Sequence, residues 1–304
     1  MRRHALIGGA GIALALAAGP ARAQSIEPRA FSPGPVRVNF AVVGMTKSKG
    51  GLSLDGDLPI TDPKLTLSGP FFAYARTLDL WGMSGKVDVI LPTGRLEGSA
   101  LFNGAPVSRE VSGLGDPLVR LSVLFHGAPA MSAADFRSYR QDLVLGASVQ
   151  VSAPLGQYDD ARLLNLGAHR WFVKPQVGIA KVWGPWTVEA AASATVFSAN
   201  DDFFGGNHRE QAPIWSAGAH AIYSFNSGIW ASLDTTYYTG GRTRLNGVAG
   251  DDLQRNWRVG TTLAFPVTRR VSVKLNASRG VSARTKNNYD LIGVAAQYRW
   301  GAGL

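Results

Sequence analysis

The stretch Tyr289-Asp-Leu-Ile-Gly-Val-Ala-Ala-Gln-Tyr-Arg-Trp300, close to the end of the chain, sets the terms on which the rest is read. Taken two residues at a time, Ile292, Val294, Ala296, Tyr298 and Trp300 fall on one face. Leu291, Gly293, Ala295, Gln297 and Arg299 fall on the other. Such alternation predicts a strand with one apolar face and one mixed, more polar face. About 11 residues is also what a tilted strand needs to cross a bilayer. The edge strand of a soluble sandwich would carry the same local pattern, so the choice passes to the remaining sequence.

The 304 residues are 45% hydrophobic and 17% charged, with 36 glycines and no cysteine. That length fits one large all-β domain or two smaller ones. Without Cys there are no disulfides and no thiolate metal sites. At the start, Arg2 and Arg3 form a basic region, Ala5 to Ala18 an apolar run, and Ala21-Arg22-Ala23 a small-x-small cleavage signal. The run is too short to span a membrane as a helix. Residues 1–23 therefore read as a cleaved signal peptide and 24–304 as one mature domain. Cleavage lowers the formal charge of +10 by three. A sequence pI of about 10.1 invites a nucleic-acid reading. Export, and the lack of a clustered Lys/Arg face, argue against it.

No later stretch offers the roughly 18 continuous apolar residues of a membrane helix, so an embedded mature chain must form a closed barrel. Twelve strands are predicted at 35–46, 65–78, 83–92, 115–125, 142–153, 170–181, 186–198, 213–225, 229–238, 257–266, 271–279 and 289–300. In the first, Val36, Val38, Phe40 and Val42 form the outer face against Arg37, Asn39 and Ala41. In the second, Phe71, Ala73 and Ala75 are placed outside to keep Arg76 from lipid. Short turns at 79–82, 182–185, 226–228 and 267–270 alternate with long loops at 47–64, 93–114, 154–169, 199–212, 239–256 and 280–288. The pattern predicts an all-β, transmembrane, antiparallel up-and-down barrel with short periplasmic turns and long extracellular loops. The connection 126–141 is too long for a periplasmic turn, and 133–140 reads as a helical turn or two capped by Ser132. All eight tryptophans fall near strand ends, Trp81, Trp183, Trp186, Trp230 and Trp300 at the short-turn end and Trp171, Trp215 and Trp257 at the loop end. Two aromatic girdles would place them so.

The inner face then carries Arg37, Lys86, Asp88, Arg120, Lys174, Glu189, Asp234, Arg258, Lys274 and Arg299, the candidate pore lining. Each Lys or Arg turned to lipid at midplane would cost roughly 2–4 kcal/mol. This lining either biases a water-filled pore toward anions or pairs internally to keep a narrow barrel satisfied.

Elsewhere the chemistry is sparse. Asp159-Asp160, Asp201-Asp202 and Asp251-Asp252, with Asp55, Asp57 and Asp62, offer hard oxygen ligands but no dedicated calcium spacing. No metal or cofactor is expected. His220 faces the lumen with Ser216 four residues earlier, about 13 Å along a strand, too far for a Ser–His pair. An enzyme is not expected.

Two further features carry resemblances. Tyr-x-Trp at the very end of a last strand resembles the signal by which outer-membrane barrels meet the barrel-assembly machinery, with Ala295 where glycine is usual. Ser112-Gly-Leu-Gly-Asp-Pro117 opening a strand and Ala153-Pro-Leu-Gly-Gln-Tyr-Asp159 closing the next form one group of motifs. The loop Asn200 to Gly206, holding Asp201, Asp202, Phe203, Phe204, Gly205 and Gly206, with Arg209-Glu210-Gln211 and the final Gln-Tyr-Arg-Trp, completes it. Together they resemble the outer-membrane transporter family named for the MetA pathway of phenol degradation. The resemblance spans nearly the whole mature chain. It implies a bacterial outer-membrane barrel associated with aromatic-compound catabolism, and it supplies no catalytic residues. The expectation is passive uptake of small molecules, aromatic or otherwise hydrophobic compounds among them, by a barrel in contact with outer-membrane lipid and lipopolysaccharide. The alternative is a non-conducting structural or surface-binding barrel.

Overall fold

The computed structural model describes residues 27–50, 60–102, 104–285 and 288–302. The signal peptide, Asp55, Asp57 and the side chain of Asp62 lie outside the described residues. The chain runs through β1 (Val38–Gly50), β2 (Ile60–Leu80), β3 (Met83–Phe102), β4 (Ala105–Leu114), β5 (Leu118–Pro129), α1 (Ala133–Phe136), β6 (Leu143–Ser152), β7 (Phe172–Trp183) and β8 (Trp186–Phe197). It continues with β9 (Asn200–Phe203), β10 (Asn207–Gln211), β11 (Ile214–Ser224), β12 (Trp230–Gly240), β13 (Thr243–Leu245), β14 (Val248–Ala249), β15 (Gln254–Pro266), β16 (Val271–Ala283) and β17 (Tyr289–Gly301).

Twelve of these close a ring in the order β1, β2, β3, β5, β6, β7, β8, β11, β12, β15, β16, β17. The seam is β17 against β1, from Gly301 opposite Val38 to Tyr289 opposite Gly50, antiparallel throughout. The stretch from Tyr289 to Trp300 is thus part of the strand that shuts the barrel. Closure leaves no backbone edge to face lipid. Phe72, Leu91, Val119, Val177, Ile179, Leu233, Val259 and Ile292 are among the large apolar side chains that stand exposed on its outer wall. So wide an apolar surface suits hydrocarbon and not water.

Ten of the twelve predicted strands lie within about four residues of the observed ends. The predicted loop 93–114 is instead the far half of β3 and all of β4, a hairpin that projects beyond the ring. Its ion pairs, Arg95 with Glu97 and with Glu110, are exposed. β4 is exposed nearly throughout, and the buried positions of this part of β3, Gly94, Leu96 and Gly98, include two glycines, so no apolar alternation marks the hairpin. Loops 199–212 and 239–256 likewise fold into a second sheet, β14-β13-β10-β9. At the opposite end α1 fills the long connection as expected, with the Ser132 hydroxyl accepting from the Asp135 N–H at 3.2 Å.

Two wall faces are reversed relative to the sequence reading. Val38, Phe40 and Val42 of β1 point inward, and Val43 and Met45 point out. On β2, Phe71, Ala75 and Thr77 are buried while Phe72, Tyr74 and Arg76 are exposed. Both faces of β1 are largely apolar, Val38, Phe40 and Val42 against Ala41, Val43 and Met45, so Arg37 and Asn39 alone decided the side. Arg76 sits near the turn after Leu80, where a long side chain reaches the aqueous interface instead of being held at midplane. One tryptophan also departs from its girdle: Trp230 is buried against Ile222 and Ala264 inside the barrel.

Candidate functional site

The lumen is the site, and its floor is built by the residues that precede β1. The segment from Glu27 to Val36 climbs from the periplasmic rim into the barrel. At the rim Val36 N–H donates to the Met131 carbonyl at 2.9 Å, and Val38 N–H to Thr77 Oγ1 at 2.9 Å. The Thr77 hydroxyl in turn donates to the Pro35 carbonyl at 2.6 Å. Higher up, Phe31 is buried among Leu124, Ala128, Val144 and Ala180. Its ring packs against glycine: a Cβ at Gly178 would come within 2.2 Å of it, and one at Gly146 within 2.7 Å. Mid-strand glycines of this kind mark close approach of another group.

Toward Glu27 the contacts become polar. Arg29 donates its backbone N–H to Glu189 Oε2 at 2.8 Å and its Nη2 to the Ser224 hydroxyl at 2.6 Å. Its guanidinium covers the Trp230 ring at 4.8 Å. That cation explains why Trp230 turns inward. Glu27, the highest described residue of the segment, binds Arg120 Nη1. The space left among Glu27, Phe31, Lys174, Glu189 and His220 is about 30 Å³, room for a water or two.

The candidate lining residues fall into three groups. Asp88, Arg120, Lys174, Glu189, Asp234 and Arg258 are buried inside the barrel. Lys86 joins them through a 3.6 Å contact with Asp88, which also takes Arg120 Nε at 2.9 Å. Lys274 is half-buried on β16. Arg258 is capped by the Tyr289 ring at 3.6 Å, donating to the Tyr289 carbonyl and to Ser278, each at 2.9 Å. Arg299 stands half-exposed at the periplasmic end, its Nε on the Arg269 carbonyl at 2.8 Å. Arg37 is a correction: it is exposed at the rim, in a left-handed turn with φ 64°, and forms no part of the wall. Its charge had fixed the face of a strand that begins only at Val38.

His220 and Ser216 do not meet as a pair. The His220 Nδ1 contacts Asp234 Oδ1 at 2.8 Å, and Ser216 shares a 2.6 Å hydrogen bond with Ser193. The Asp234 carboxylate also accepts from Ser232 at 3.0 Å.

The reversal of β1 and β2 creates what the sequence reading lacked, an apolar inner wall. Val38, Phe40, Val42, Phe71, Ile90, Leu118 and Phe172 pack as one cluster on the inside. Ile90, Leu118 and Phe172 each stand two residues to the extracellular side of a charged residue, Asp88, Arg120 and Lys174 respectively. On these three strands the lumen is layered, apolar on the extracellular side and charged below, while Val38 and Phe40 carry the apolar cluster down to the periplasmic rim.

The motif residues organise the extracellular rim. Asp116 is buried and ties down the loop after β6, accepting from Gly156 N–H and Ala168 N–H at 2.8 Å each. Asp201, Asp202 and Phe203 form part of β9, Phe204 to Gly206 its turn, with Gly205 and Gly206 at φ 80° and 79°. Arg209 covers the Phe203 ring, and the Tyr158 hydroxyl donates to the Asp202 carbonyl at 2.9 Å. Burial holds the Tyr158 phenol above its ordinary range, so it keeps that donor proton. Asp201 contacts His208, Asp251 binds Arg284, and Asp252 accepts from Thr243.

The profile of a family described as "Putative MetA-pathway of phenol degradation" matches residues 59–299. The fold is similar to that of the COG4313 outer membrane channel from Pseudomonas putida F1, at 22% identity and a TM-score of 0.75, covering 91% of this chain and 100% of that one. The transport unit of the autotransporter AIDA-I from Escherichia coli follows at 9% identity and a TM-score of 0.49, covering 86% and 90%. At these identities the likeness is one of fold. No curated protein matches the chain.

Proposed function

Because the chain belongs to the family described as "Putative MetA-pathway of phenol degradation", we propose that it is an outer-membrane channel for the passive uptake of small hydrophobic molecules, aromatic compounds among them. In this reading residues 1–23 direct export and are removed, the assembly machinery inserts the barrel through its last strand, and lipopolysaccharide surrounds its outer rim. The observation that carries the reading is the apolar inner wall around Phe40, Phe71, Leu118 and Phe172. A barrel in lipid needs apolar residues outside, whereas a wet pore has no need of them inside. An apolar lumen lets a hydrophobic solute shed water progressively as it descends. The segment 27–36 closes the floor, so uptake requires that it yield.

The test uses intact cells, whose lipopolysaccharide layer slows hydrophobic solutes. Producing the protein should speed uptake of the fluorescent probe N-phenyl-1-naphthylamine, and Phe40→Asp should abolish the gain. Equal rates with and without the protein would refute the reading.

A second reading rests on the separate sheet of β9, β10, β13 and β14, which gives the loops a built surface. There the barrel is a support for binding a surface partner. Deleting 199–212 would then remove binding without altering probe uptake.

A further inference from the structure

We propose that Arg120, with Lys86, Lys174 and Lys274 around it, is a binding site for the carboxylate of a small ring-bearing acid, and that Glu27 occupies this site as the chain's own stand-in. The inference rests on the channel reading and names the solute class of the same lumen.

Glu27 is a carboxylate delivered to mid-barrel on a segment that is not part of the wall, and it is only 7% exposed. Arg120 divides its guanidinium between two acids of different standing. Nε donates to Asp88, which belongs to the wall, and Nη1 reaches Glu27, which belongs to the segment. The planar fork of arginine suits a carboxylate at each edge. Removing the segment would leave the second edge facing the lumen.

The other cations converge on the same point from far around the ring. Lys174 on β7 and Lys274 on β16 stand five strands apart in a ring of twelve, nearly opposite one another. Lys174 lines the same small space as Glu27, and Lys86 lies 3.6 Å from the Asp88 that Arg120 also binds. Glu27 comes from a segment that is not part of the wall and shares that space with Lys174, so its carboxylate stands inside the lumen, where a solute must pass.

The apolar layer completes the site. Leu118, Ile90 and Phe172 lie two residues, roughly 6–7 Å along their strands, on the extracellular side of the charges. A benzoate-sized acid arriving carboxylate first would place its ring in the apolar layer and its charge on Arg120. A neutral aromatic fills only the upper layer and leaves the cations to Glu27.

The experiment is equilibrium dialysis of refolded full-length mature protein against labelled benzoate and labelled benzyl alcohol. In Glu27→Ala the internal carboxylate is gone, and benzoate should bind at least tenfold more tightly than to the parent barrel. It should also bind at least tenfold more tightly than benzyl alcohol, and adding Lys174→Gln should weaken it severalfold. Heat-modifiable mobility confirms that each variant is folded. Should Glu27→Ala not fold, the near-isosteric Glu27→Gln removes the same charge and should still raise benzoate affinity severalfold. Benzoate binding no tighter than in the parent, or benzyl alcohol bound equally well, would overturn the proposal. That result would leave uptake of the neutral naphthylamine probe untouched, so the two readings fail separately.

Discussion

Asp116 shows how much one side chain carries at the rim. Its two carboxylate oxygens satisfy two backbone donors of a single loop, Gly156 and Ala168. Asp116→Ala should strand both, at about 1–3 kcal/mol each. The expected outcome is proteolysis within 154–169 while the barrel keeps its heat-modifiable mobility; a loop as protected as before would contradict this anchoring role. Arg120 is the corresponding residue within the lumen. Arg120→Met leaves Glu27 and Asp88 buried beside a smaller cation complement and should cost about 3–5 kcal/mol, read as a lower midpoint in urea. Adding Glu27→Gln should return part of that loss. A midpoint unmoved by Arg120→Met would mean the pairing adds nothing. At this scale the sequence was legible where alternation was sharp, so Asp88, Arg120, Lys174 and Glu189 were placed inward from pattern alone. It misled at Arg37 and Arg76, where charge was read without depth. Both lie near the periplasmic ends, and there a cation costs little because water is within its reach.

Among the elements, the segment 27–36 is one that period and composition did not reveal. It has no strand or helix pattern, and its partners are scattered: Glu189, Ser224 and Trp230 for Arg29, and Leu124 and Val144 for Phe31. The signals for it were two glycines, Gly146 and Gly178, set in strands where nothing local required them. Phe31→Ala should cost the segment about 3–5 kcal/mol of seating. Because the chain has no cysteine, Ser32→Cys supplies a unique thiol to follow this. Maleimide should label Cys at 32 slowly when Phe31 is present and quickly when it is Ala; equal rates would show that Phe31 does not hold the segment. The extracellular strands were missed for a different reason. β4, β9, β10, β13 and β14 lie beyond the ring; β4 is exposed nearly throughout and the others hold only two to five residues each, too few to show a period of two.

For the molecule as a whole, the barrel was legible because lipid imposes two conditions at once, apolar residues outside and no open edge. Twelve alternating stretches with alternating connection lengths meet both. The interior was less legible, since no such external constraint fixes which wall residues touch one another. There the structure adds an apolar patch above the charges of β3, β5 and β7, with the chain's own segment as the floor of the lumen. The most direct test is single-channel recording of the refolded mature protein beside a variant lacking residues 24–34. A passive channel floored by its own segment predicts small or infrequent currents for the parent and steady, severalfold larger ones for the deletion. A deletion variant that folds, shows the heat-modifiable shift and remains as silent as the parent would contradict the account.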